Sequence, residues 1–198
     1  IAGLAVFLIL PDWQGRRLNK VLANTLTCNS TYLRQIMRQY AEGKRDDLAY
    51  RLARRNAHNA DAALSTTLAN MLMEPGHFRK EADVGFRFLV LSHTLLSYLS
   101  ALGAHRESTL PAEARELLLD GAGAKLADSL DEIANGLTSK QAVAIHSDSE
   151  EALAGELEQM PEEMDENLRT VQTQLALIAR HLGPLRTLAA HLIKGTPA

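Results

Sequence analysis

The densest run of chemically capable side chains is AYRLARRNAHNADAALS, residues 49–65. Arg51, Arg54, Arg55, Asn56, His58, Asn59 and Asp61 crowd about three turns of one helical pattern. Arg54 and His58 are four apart, as are Arg55 and Asn59, so each pair shares a helix face. Asn and Asp are mediocre helix formers, and a merely exposed helix gains nothing by using them. Two readings fit this pattern: a surface helix solvated by mixed charges, or a contact surface for a neighbouring helix or another domain. A second polar cluster, GAHRES at 103–108, closes an otherwise apolar segment. Its His105 and Arg106 stand in a last helical turn, where cations favour the helix dipole. The candidate inter-domain or oligomer contact is therefore Arg51, Arg54, Arg55, His58, Asn59 and Asp61, with His105 and Arg106 as its partners.

Catalytic and metal-binding patterns are mostly absent. Glu74 and His77 have the Glu-x-x-His spacing of a helical di-iron site, but Pro75-Gly76 between them keeps the pair off a common helical face. No G-x-S-x-G, H-E-x-x-H or P-loop occurs, and Gly121-Ala-Gly123-Ala-Lys125 lacks the spacing and hydroxyl residue of a phosphate loop. The single cysteine, Cys28, precludes an internal disulfide and reads as an ordinary packed thiol. His93 lies among leucines and reads as a core histidine hydrogen-bonded to a neighbour. No cofactor, metal or catalytic residue is expected.

These residues need elements to position them, and the patterning predicts an all-α fold. Leu18, Leu22, Leu26, Leu33, Ile36, Met37 and Tyr40 recur at three- and four-residue steps, predicting a first helix over 12–42. Gly43 ends it. Asp46 or Asp47 caps a second helix over 47–73, with Leu48, Leu52, Ala60, Leu64, Leu68 and Leu72 expected on its buried face. A third helix, 79–105, is apolar on two faces and belongs at the centre of a bundle. A fourth runs from Leu110-Pro111 to Asn135, before Gly136. Residues 138–151 read as a surface loop, and the nine acidic residues between 148 and 166 as a solvated helix start. The final helix, 162–193, is expected to break or bend near Gly183-Pro184. The architecture is an antiparallel bundle of about five long helices.

Length and composition agree with one globular domain: 198 residues, 46% hydrophobic and 23% charged. The net charge of −3 hides an asymmetry. Residues 1–110 hold 14 Lys/Arg against 9 Asp/Glu, whereas residues 111–198 hold 7 against 15. An acidic chain without interleaved aromatic and basic residues is not a nucleic-acid binder. The start, IAGLAVFLILPDWQGRRLNK, is different in kind. A bilayer-spanning helix needs about 20 apolar residues and this run supplies ten, followed by Trp13 as an interfacial aromatic and by Arg16, Arg17 and Lys20. Residues 1–12 are expected to be the truncated end of a transmembrane helix emerging into the cytoplasm, with 13–198 the helical-bundle domain. Trp13, Arg16, Arg17 and Lys20 would then lie near anionic lipid.

The segments PDWQ, AYRLARRNAHNADAALS and LSALGAHRE, in this order and spacing, resemble the C-terminal cytoplasmic region of the YccS/YhfK group of inner-membrane proteins. That group lies within the fusaric-acid-resistance-like (FUSC) family, related to aromatic-acid exporters of Gram-negative bacteria. The resemblance covers most of residues 1–110; over 111–198 it rests on helical character and acidic composition. It implies a cytoplasmic domain on the inner face of the bacterial inner membrane, joined to the transmembrane region of the same multi-pass polypeptide. The implied task is non-catalytic assembly or regulation of an efflux transporter, in a homo-oligomer. The alternatives are a helical module sensing a small aromatic acid through Arg and His, and a metal-dependent helical enzyme.

Overall fold

The computed structural model describes residues 11–43, 47–73, 79–105, 110–111, 114, 116–159 and 165–195. Among them every regular element is helical and no strand occurs. Helix α1 spans Pro11–Glu42. Leu18, Leu22, Leu26, Leu33, Ile36 and Tyr40 form its buried stripe. It ends at Gly43, whose φ of 82° is the left-handed conformation that glycine adopts without strain.

Helix α2, Leu48–Met73, is capped by Asp47, whose carboxylate accepts the Ala49 N–H at 2.8 Å. Its buried face is Tyr50, Ala53, Ala57, Ala60, Leu64, Leu68 and Met71. Of the expected face, Ala60, Leu64 and Leu68 are buried, whereas Leu48, Leu52 and Leu72 are exposed. The small alanines let α2 approach α1 closely enough for the Thr25 hydroxyl to reach the Ala60 carbonyl at 3.4 Å.

Helix α3, Arg79–Ala104, packs on α1, α2 and a later helix, as its two apolar faces require. Its segment Asp83–Ala104 is long and apolar enough to cross a membrane by length and composition. Here Phe88, Leu95, Leu96, Leu99 and Leu102 are instead buried in the bundle.

The second half departs more from expectation. Where one regular helix was predicted, residues Glu116–Gly123 form a π-helical segment that continues into α4, Ala124–Ser139. Helix α4 does not stop at Gly136 but at Lys140, which takes the left-handed conformation (φ 56°). Gly136 has another reason to be glycine: an added Cβ would lie 2.1 Å from Cγ2 of Val143, which folds back over it. The predicted loop is shorter than 138–151, because α5 begins within it and spans Asp148–Glu158. Helix α6, Glu166–Gly195, is capped by Asp165 and stays helical through Pro184 without a break.

Contacts order these helices into layers. Helix α2 packs on α1 and α3; α1 and α3 pack on α4 and α6 respectively; α5 packs on α6. Helix pairs α1/α2, α2/α3 and α5/α6 run antiparallel, as the contacts Thr25–Ala60 with Tyr32–Tyr50, Asp61–His93 with Tyr50–Gly103, and Glu150–Arg186 with Glu158–Arg180 show. Helices α2 and α5 thus form opposite edges of the bundle.

Candidate interaction surfaces

Helix α2 is held by its ends and its alanine face, which fixes what it shows to solvent. At its first turn the Tyr50 hydroxyl lies 3.3 Å from that of Tyr32 and donates to the Gly103 carbonyl at 3.5 Å. Nearby, the Tyr40 hydroxyl donates to the Leu102 carbonyl at 2.8 Å. A Cβ on Gly103 would meet the two tyrosine hydroxyls at 2.8 and 2.9 Å, so only glycine fits without displacement.

With that face inward, Arg51, Arg54, Arg55, Asn56, His58 and Asn59 all point outward and are exposed. The sequence cluster is thus one surface. Asp61 differs: it is half-buried, and its Oδ2 lies 3.0 Å from Nδ1 of His93 on α3. His93 is hydrogen-bonded as expected, but it is exposed rather than a core residue. His105 is exposed at the end of α3, beside the Tyr50 end of α2 and away from Asp61. Arg106 lies outside the described residues, as do Glu74, His77 and the apolar run 1–10. Of the membrane-proximal set, Arg17 and Lys20 are exposed; the side chains of Trp13 and Arg16 lie outside the description.

The opposite edge holds a cluster that the sequence reading missed. Arg186 on α6 is 2% exposed and forks across two carboxylates. It donates to Glu150 of α5 at 2.6–3.0 Å and to Glu132 of α4 at 2.8 and 3.2 Å. Burial works against its charge, but the hydrogen bonds to Glu132 and Glu150 outweigh it and hold its pKa above the ordinary value. The same hydrogen bond, against opposing desolvation, lowers the Glu132 pKa. One signal was available: Arg186 falls four residues after Leu182, in phase with the core stripe of α6. A second pair, Arg180 with Glu158 at 2.7 and 2.9 Å, fastens the far end of α5. The acidic stretch is therefore partly a docking device for α5, not a wholly solvated helix start.

Two titratable groups sit apart from these surfaces. His181 lies 2.7 Å from the Leu91 carbonyl through Nε2 and edge-on to Tyr98; burial lowers its pKa, favouring the neutral imidazole that donates there. Cys28 is half-buried, and burial raises its thiol pKa, which disfavours the nucleophilic thiolate. Among the described residues no three His, Cys, Asp or Glu side chains converge as a metal ion needs. A cleft of about 170 Å³ between α5 and α6 contains His146 and Arg180, but also Glu150 and Glu151. Both side chains already face carboxylates, His146 at 3.0 Å from Glu151 and Arg180 at 2.7 Å from Glu158. The cleft is smaller than ligand pockets usually are and unsuited to an acid.

The features define an all-α bundle with prominent charged edges. Over 120 residues, 61% of its length, the chain is 46% identical to the inner membrane protein YccS of Escherichia coli K12. It is 49% identical over 107 residues to an uncharacterized protein of Haemophilus influenzae, and 36% identical over 104 to an uncharacterized protein ORF2 of Neisseria gonorrhoeae. The matches cover 54% and 52% of this chain, respectively. The expected relationship to YccS-type inner-membrane proteins therefore holds. The matched chain spans only 17% of the Escherichia coli protein, 15% of the Haemophilus protein and 25% of the Neisseria protein. No family model matches the chain, and no solved structure matches it.

Proposed function

We propose that residues 13–198 form a cytoplasmic, non-catalytic assembly or regulatory domain of an inner-membrane efflux transporter of the FUSC type. Residues 1–12 are then the end of its last transmembrane helix, continuous with α1. The observation that carries this reading is the 46% identity to an inner-membrane protein over 120 residues. It is supported by the apolar run that leads directly into α1, where Arg17 and Lys20 are exposed. Each basic residue near an anionic lipid surface contributes about 1 kcal/mol of attraction. Transport itself needs ionisable groups or broken helices at membrane depth, which belong to the membrane region in this account.

The domain's task is to pack against a second copy or a neighbouring domain through the outward face of α2. That face exposes three arginines and a histidine beside two leucines, a mixture suited to a protein contact. In the full-length protein, replacing Arg54, Arg55 and His58 together by alanine should reduce oligomerisation or efflux while the helical content and melting temperature of the domain stay unchanged. Normal assembly and transport in that variant would remove the role assigned to α2.

A further inference from the structure

The two edges of the bundle carry opposite charge around exposed apolar side chains. On α2, Leu48 and Leu52 are 70% and 44% exposed, and every charged residue exposed between 48 and 60 is basic. On the other edge Ile145 is 50% exposed, next in the chain to His146, which lies 3.4 and 3.0 Å from the exposed Asp148 and Glu151, with Glu156 further along α5. Residues 141–159 contain no Lys or Arg at all. An apolar centre with a charged rim is the usual anatomy of a protein interface. Here the two rims are complementary, yet they lie at opposite ends of the layer order and cannot meet within one chain.

From this juxtaposition we propose that copies of the protein associate head to tail. The α2 face of one copy seats on the 145–156 edge of the next, Leu52 and Ile145 forming its apolar centre. The inference rests on the assembly reading above and specifies its geometry. A two-fold interface built from α2 alone would set Arg54 and Arg55 against their own kind, and one built from α5 would oppose carboxylates; like charges brought together are strongly unfavourable. Pairing unlike edges satisfies both surfaces in every copy. Such a contact is heterologous, so it generates a ring when its rotation closes. Copies anchored in one membrane share a common orientation, which favours closure about an axis normal to the bilayer.

The test uses two differently tagged copies of the full-length protein, co-expressed in a background free of other reactive thiols. One copy carries Arg55→Cys and the other Glu151→Cys, and membranes are treated with a short bifunctional thiol reagent. Cross-links should form between the two variants and be absent when either is expressed alone. Cross-linking of Arg55→Cys to itself would overturn the proposal in favour of a two-fold contact. Co-purification of the tagged copies without the mixed cross-link would also overturn it, while leaving the assembly reading intact. Copies that never co-purify would overturn both. Charge reversal provides a second readout: R54E/R55E alone, or D148K/E151K alone, should cut recovery of the partner copy about tenfold or more, since repulsion replaces attraction. Co-expressing the two reversed variants should restore recovery; failure to restore it would contradict the pairing.

Discussion

Two sets of arginines divide the molecule. On α2, Arg54 and Arg55 belong to a conspicuous cluster and end up in solvent. On α6, the solitary Arg186 is almost wholly buried and ties three helices together through Glu132 and Glu150. Solvent screens the first pair and little depends on it for folding. The second sits where an uncompensated charge is costly, so its partners cannot be removed separately. The charge that draws the eye in the sequence is free to serve binding, and the quiet one serves the fold.

The contrast is broken most severely at Arg186. Arg186→Met strands Glu150 in the interior and should destabilise the domain by about 3–5 kcal/mol in urea unfolding. A loss no larger than that of an exposed arginine would show that Glu150 does not need its partner. Next comes the buried side of α2: Leu64→Ala, at a fully buried position, should cost about 2–5 kcal/mol. Leu52→Ala on the exposed side should change stability by less than about 0.5 kcal/mol. Equal effects would mean that the face assignment is wrong. Gly103→Ala pushes against the Tyr32 and Tyr50 hydroxyls and should cost about 1–3 kcal/mol, with faster amide exchange at the start of α2.

Acid sharpens the same comparison. His181 has a folded pKa below the ordinary 6.5, so the unfolded chain takes up that proton first and stability declines as pH falls through this range. Glu132 also has a depressed folded pKa; its contribution is complete above about 4.5 and is lost as pH falls further, through the folded value. Thermal melts across pH should show both declines, and Glu132→Gln should flatten only the lower one. An unchanged acid limb in that variant would detach Glu132 from the Arg186 network. The smallest effect belongs to α2: R54A/R55A should alter stability by no more than about 0.5 kcal/mol.

Much of the fold was legible where punctuation and period agree. Gly43 and Asp47 mark real helix boundaries, and the stripe from Leu18 to Tyr40 is the buried face of α1. On α2 the expected face holds at Ala60, Leu64 and Leu68 and fails toward both ends. Leucines at 48, 52 and 72 compete with an alanine stripe at 53, 57 and 60, and close packing favours the small residues. In the second half, acidic residues at 148–151 resemble solvated loop, although Glu150 is buried against Arg186 from a distant helix. Gly136 looks like a terminator because the approach of Val143 is a tertiary fact. The sequence left the α2 cluster open between a solvated face and a contact surface, and only Asp61 of the six proposed contact residues on α2 is drawn inward. The Arg186 clamp needed the partner helices in place, and Asp61–His93 needed the register of α2 against α3.

The cytoplasmic-domain reading turns on where α1 stands relative to the bilayer. Lys20, exposed near the start of that helix, offers a direct probe. A Lys20→Cys variant of the full-length protein, with other reactive thiols removed, can be labelled with a membrane-impermeant maleimide. The cytoplasmic-domain reading predicts labelling in inverted inner-membrane vesicles and none in intact spheroplasts. Labelling from the outside of spheroplasts, or release of the protein from washed membranes, would contradict it.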